Sequence, residues 1–199
     1  MIRKATAEDI PAVAAIYEAI LQLEEQGELV IGWQRGVYPT EETARQALAA
    51  GTLYVMEEEP KTEDEGHHSE GHHSKDRHGT AGRPAIVAAA KIDRQQVDVY
   101  ADCDWKYPAN DSEVLVLHTL VVDPKESGRG HGSAFVAFYE QLARELGCKC
   151  LRMDTNERNL AARRLYSRLG YREAGILPCR FNGIEGVNLV TLEKSLVDI

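Results

Sequence analysis

The sequence predicts an α/β (α+β) fold with its elements in the order β-α-α-β-β-β-α-β-α-β-β. Three observations carry this. Short apolar runs rich in β-branched residues recur along the chain, helical apolar stripes stand between some of them, and Gly51, Gly147 and Gly170 close the helical segments. A doubly wound fold would alternate strand and helix throughout, and a sandwich would lack the helices, so neither produces this order.

Each element follows from local signals. Ile2–Ala5 is a short strand. Thr6 then caps a helix, with Asp9 at the capping-box position and a stripe of Ile10, Val13, Ala14, Tyr17, Ile20 and Leu21. A loop with Trp33, Tyr38 and Pro39 leads to Thr40, the cap of a second helix with Glu41 and Glu42 in its first turn. Leu53–Glu57 and Ala85–Ile92 read as strands, and Glu113–Val122 as the strand that feeds a glycine-rich stretch. The helix after that stretch carries Ala134, Phe135, Phe138, Leu142 and Leu146 on one side. Leu151–Asp154 is a strand and Glu157–Leu169 a helix, and the last strands fall near Tyr171–Ile176 and Val187–Glu193.

The chain of 199 residues suits one domain spanning 1–199. With 23 basic and 32 acidic residues its net charge is −9, which argues against a general nucleic-acid or anionic-membrane surface. No run of 18 or more apolar residues exists, and the N-terminus has no signal-peptide core, so a soluble, cytoplasmic protein is expected. Cys103, Cys148, Cys150 and Cys179 lack a paired metal-binding spacing and are expected as reduced thiols.

One segment interrupts the pattern. Glu58–Arg83 holds five of the seven histidines beside many acids and almost nothing apolar. Its expected form is a solvated, flexible hairpin extension, because it has no apolar surface to offset the backbone entropy of ordering, ~1–2 kcal/mol per residue. Convergence of His67, His68, His72 and His73 on a metal ion stays open as an alternative. No metal is expected in the catalytic site.

The most informative stretch is Leu117–Ser133, LHTLVVDPKESGRGHGS. A strand that feeds glycines at 128, 130 and 132 and then opens a helix is a phosphate cradle. Glycines let successive N–H groups approach an anion, and the helix N-terminus adds the positive end of its dipole. The P-loop pattern is absent, and the dinucleotide pattern would need a glycine where Ser133 stands.

The remaining G-x-G-x-G, after a strand ending Val-Val-Asp-Pro, resembles motif A of the GNAT superfamily, the acyl-CoA-dependent N-acetyltransferases. A second stretch is more specific. Asn159, Ala162, Leu165, Tyr166, Gly170 and Tyr171 match the family's N-x-x-A-x-x-L-Y-x-x-x-G-[FY]. The element order is also that of the family, so the resemblance covers nearly the whole chain and implies a GNAT-like mixed central sheet. It implies acetyl-CoA as co-substrate, with its pyrophosphate on Ser127, Gly128, Arg129, Gly130, Gly132 and Ser133. It further implies pantetheine paired with the backbone of Leu120 and Val122, and Asn159 bonding the pantetheine arm. One position departs from the family, which usually places Arg or Gln where Ser127 stands, and Arg129 is the nearest substitute charge.

Acyl transfer to an amine poses two proton problems. A lysine-like amine costs roughly 4–5 kcal/mol to deprotonate at pH 7, and the departing thiolate needs a proton. A phenol with pKa ~10 stays protonated, so Tyr166, in the family motif, is the expected general acid. The base is open among His118, Glu113, Asp154 and a water chain. Strand alternation would place His118 on one face with Val116, Leu120 and Val122, and the imidazole's reference pKa of ~6.5 suits a base. Trp33, Tyr38, Arg180 and Phe181 are the expected acceptor contacts. The expected activity is direct transfer of an acetyl group in a ternary complex to a small-molecule or peptide amine, with no nucleic acid or membrane as partner and a homodimer left open. The competing reading is a non-catalytic acyl-CoA-binding sensor or interaction module.

Overall fold

Among the described residues, seven strands hydrogen-bond into one sheet in the order β1-β2-β3-β4-β5-β7-β6, and β4–β5 is its parallel pair. The computed structural model describes residues 1–58 and 84–197. The histidine-rich insert, apart from Glu58, lies outside the described residues. The strands are β1 (Ile2–Lys4), β2 (Leu53–Glu58), β3 (Ala85–Asp93), β4 (Val114–Val122), β5 (Cys150–Asn156), β6 (Arg172–Phe181) and β7 (Ile184–Ser195). The helices are α1 (Ile10–Glu25), α2 (Glu41–Ala49), α3 (His131–Glu145) and α4 (Leu160–Arg168). The element order is therefore the expected one, within a mixed sheet.

The two apolar faces of the sheet take different helices. Ile10, Val13, Ile16, Tyr17 and Ile20 of α1, with Ala44 and Ala47 of α2, pack on Leu53, Val55, Ala89 and Val121. On the other face Phe135, Val136, Tyr139 and Ala143 of α3 and Tyr166 of α4 pack on Leu115, Leu117, Leu151 and Met153. The α3 stripe sits a little off its expected position. Tyr139 and Ala143 are fully buried, whereas Ala134 and Leu146 are exposed.

Two caps behave as the sequence predicts. Thr40 Oγ1 accepts from the Thr43 amide at 3.3 Å. Asp9 reaches back to the Thr6 amide at 2.7 Å, and Arg3 pairs with the same carboxylate at 2.7 Å. That junction opens a 3₁₀ turn, Ala7–Asp9, ahead of α1. The predicted helix at Glu157–Leu169 starts later. Asn159 is its N-cap, accepting from Ala162 N at 3.1 Å, rather than a first-turn residue.

The feature that makes room for a site lies between β4 and β5. Their parallel pairing runs from Val114↔Cys150 to Leu117↔Met153 and then stops. Beyond that point β4 stays with β3 as far as Ala88↔Val122, and β5 stays with β7 as far as Asn156↔Leu189. The two strands splay. Tyr139 marks the root of the split, its hydroxyl standing 2.6 Å from the Leu115 carbonyl and 3.0 Å from that of Arg152.

The splay coincides with a bulge. Against β3, Lys91 pairs with His118 but Ala89 pairs with Val121, so β4 carries one extra residue there, and Thr119 has φ +52°. An extra residue reverses the side-chain alternation. Leu115 and Leu117 face α3 before the bulge, and Leu120 and Val122 pack on that same side after it. Val116 and His118 are consequently on the opposite face, which corrects the expectation that His118 shares a face with Leu120 and Val122.

Candidate active site

A cavity of about 610 Å³ opens in the split. Its walls are Thr119–Val122 of β4, Asp154–Asn156 of β5, the start of α4 with Tyr166, the loop carrying Ile31–Trp33 and Tyr38, and Phe181, Ile184 and Leu189 of the last hairpin. Pro124 and Ser127 border it on the side of the glycine loop.

The cradle end is built from backbone. The Asp123 amide donates to Val87 of β3, so by strand alternation the polar groups of Val122, and of Leu120 two residues before it, point into the split. Gly128 and Gly130 have φ of +77° and +86°, and Gly130 is the N-cap of α3. A Cβ at Gly130 would be strained there, which is why a glycine ends the loop. Gly132 and Ser133 fall in the first turn of α3, whose N–H groups have no intrahelical partner and carry the positive end of the dipole. Ser127 and Asn159 line the cavity between these groups and α4. With its oxygen committed to the cap, Asn159 retains its NH₂ as a donor.

Arg129, the expected substitute charge near Ser127, is paired with acidic side chains. Its guanidinium bonds Glu126 and stands 3.2 Å from Glu58, and these carboxylates hold it further above its usual pKa.

The chemical end centres on Asp154. Burial pushes its carboxyl above the usual carboxylate range, against a 2.7 Å hydrogen bond from the Tyr100 hydroxyl and the nearby His118. Tyr166 lies in the same cavity, 6% exposed, and burial together with the Asp154 charge pushes its phenol well up, so it holds its proton. Tyr38, whose hydroxyl bonds Thr119 Oγ1, is raised to about 12 mainly by burial. Trp33 meets Tyr38 edge-on at 6.0 Å and continues this aromatic wall, with Phe181 on the hairpin side.

Three of the catalytic and acceptor candidates fall outside the cavity lining. His118 Nε2 lies 3.2 Å from Asp93 Oδ1 and 3.1 Å from the Gln95 carbonyl, on the face to which the bulge consigns it. Burial would raise Asp93, but its bonds with His118 and Lys91 outweigh this and hold it below the usual range. Glu113 stands at the opposite end of β4, paired with Lys149, which lowers its pKa. Arg180 is 66% exposed and pairs with Glu185 at 3.1 Å. Sequence reasoning missed Tyr100, which meets Asp154 from 54 residues away with no motif to announce it.

The family model described as the acetyltransferase (GNAT) family matches residues 52–171. The chain belongs to this family. A curated relative, the uncharacterized N-acetyltransferase MJ1207 of Methanocaldococcus jannaschii, is 30% identical over 79 residues, which span 40% of this chain and 35% of that protein. Among solved structures, a GNAT-family acetyltransferase from Listeria monocytogenes superposes with a TM-score of 0.66 at 17% identity, covering 98% of this chain and 94% of the other. The acetyltransferase yncA from Salmonella typhimurium, solved with its cofactor acetyl-CoA, superposes at 0.60 and 18% identity, covering 100% and 95%. These structural likenesses show that the GNAT fold is shared. The family match covers the split, the glycine loop and the Asn159–Tyr171 stretch, while α1, α2 and the last hairpin lie outside it.

Proposed function

We propose that the protein is an N-acetyltransferase that moves an acetyl group from acetyl-CoA to an amine of a small molecule or peptide by direct attack in a ternary complex. The observation that carries this reading is the meeting, in one split of the sheet, of an unpaired strand edge, a glycine-led helix N-terminus and a buried carboxylate–phenol set. These groups suit the donor. The loop and α3 amides fit a pyrophosphate, and the free edge at Leu120 and Val122 fits an amide-bearing arm laid alongside as a strand.

In this reading Asp154 is the base and Tyr166 the acid. Asp154 accepts a proton from the attacking amine, directly or through a water. The amine nitrogen bonds the thioester carbonyl carbon, the carbon–sulfur bond breaks, and Tyr166 gives its proton to the departing thiolate. A carboxylate lifted toward neutrality by burial is a stronger base than one in water, and a buried phenol stays protonated until the thiolate forms. The aromatic and aliphatic wall of Trp33, Tyr38, Phe181 and Ile184 would seat the apolar body of the acceptor.

A free-thiol assay with acetyl-CoA and a panel of amines tests this. Acceptor-dependent thiol release by the wild type, reduced about 10²-fold or more in Asp154→Asn and in Tyr166→Phe, is expected. Coenzyme A binding without thiol release for any amine would favour the sensor reading. Wild-type turnover in either variant would remove that residue from its role.

A further inference from the structure

We propose that Glu58, Glu126 and His131 form a binding site for one divalent transition-metal ion such as Zn²⁺, with the Arg129 guanidinium as its built-in competitor. Its residues adjoin the glycine loop, but the proposal does not rest on the transfer reaction. One ligand atom from each of the three residues lies within 4.8 Å of the others. They converge from three elements: the end of β2, the 3₁₀ turn Pro124–Glu126, and the first residue of α3.

The independent pointer is His131. Its side chain is 7% exposed, and its buried Nε2 has no hydrogen-bond partner. Glu58 Oε1 stands 3.5 Å away, too far for a good hydrogen bond but suited to two ligands on one ion. The two carboxylates together carry a charge of −2, which a divalent ion cancels, and the imidazole adds a nitrogen donor. This donor set suits Zn²⁺, Co²⁺ or Ni²⁺ better than Mg²⁺ or Ca²⁺, which favour oxygen alone.

Arg129 now occupies the position of the cation, bonding Glu126 and standing 3.2 Å from Glu58. Its guanidinium serves the two carboxylates, and His131 Nε2 stays without a hydrogen-bond partner. A bound ion would serve all three ligands and turn Arg129 out of the cluster.

The test must silence the neighbouring histidines of the insert. In full-length protein with His67, His68, His72, His73 and His78 all replaced by Ala, Co²⁺ is titrated by visible absorption and Zn²⁺ by calorimetry. One ion per chain is expected, weakened about 10-fold or more by Glu58→Gln and by His131→Gln. Arg129→Ala is expected to tighten binding by a comparable factor, the signature of a displaced competitor. The Glu58 variant alters a partly exposed side chain, so it keeps the test valid if the buried His131 variant fails to fold. No binding, or binding indifferent to Glu58→Gln and Arg129→Ala, overturns the proposal.

Discussion

In the proposed reaction Asp154 can act as the base only in so far as its surroundings keep it from being an ordinary aspartate. Burial lifts its pKa, and the Tyr100 hydroxyl holds it down. A base must lose its proton to act, so kcat/KM should rise with pH through an apparent pKa above the ordinary carboxylate value of ~3.9. Asp154→Asn should abolish that acidic limb. Tyr100→Phe removes the bond that favours the ionised form, so the limb should move to higher pH while the maximal rate changes less. A pH–rate series on the two variants decides it, and a limb unmoved in Tyr100→Phe would mean that Tyr100 does not tune the base. Much of this was open to sequence reading at Tyr166, Asn159 and Leu120, which stand in recognisable patterns. The face of His118 is not legible, because strict alternation fails at Thr119 and a bulge leaves no mark in a run of apolar residues.

At the scale of elements, the joints rather than the strands decide where the site's parts sit. Thr6 and Asp9 announce the β1–α1 junction in the sequence, and Arg3 strengthens it. The hydrogen bond from Arg3 is the main cause that holds Asp9 at about 2. Because this folded value lies below the unfolded ~3.9, the stabilisation is fully present above pH ~3.9 and is lost as pH falls through about 2. Asp9→Asn should cost on the order of 2 kcal/mol at pH 7, and denaturant melts should show the gap from wild type closing in acid.

The loop before α2 is held differently. Glu24 receives the amides of Ile31 and Gly32 at 2.5 and 2.9 Å. Gly32 has φ +85°, and a Cβ there would come within 2.3 Å of the Asn156 side chain. Gly32→Ala should therefore cost ~2 kcal/mol or more and push the loop off the cavity mouth, raising KM for the acceptor before that for acetyl-CoA. Equal changes in both KM values would assign the loop to the donor instead. Nothing in the sequence marked Gly32, since its partner lies more than a hundred residues away.

For the whole molecule, the order of elements is legible because Gly51, Gly147 and Gly170 close α2, α3 and α4 and nearly every strand carries an apolar run. The sheet's internal break was not, since strand pairing is a property of two segments and the sequence shows each alone. Tyr139 hints at it only in retrospect. Its hydroxyl bridges the paired parts of β4 and β5, and Tyr139→Phe should cost about 1–2 kcal/mol through loss of its contacts to two strand carbonyls. Normal stability in that variant would show that the root of the split is held by packing alone.

The split has a consequence for motion and for ligand linkage. A sheet that stops pairing halfway leaves the amides of Leu120 and Val122 open to exchange with solvent, while those of Val121 and Asp123 are locked against β3. A donor arm lying along that edge would act as a temporary eighth strand. Deuterium uptake at alternate residues of β4 should then fall when coenzyme A is added, and the melting temperature should climb with its concentration. At a hundred times the dissociation constant the gain is about 2.7 kcal/mol. Before any chemistry occurs, the co-substrate would be finishing the fold.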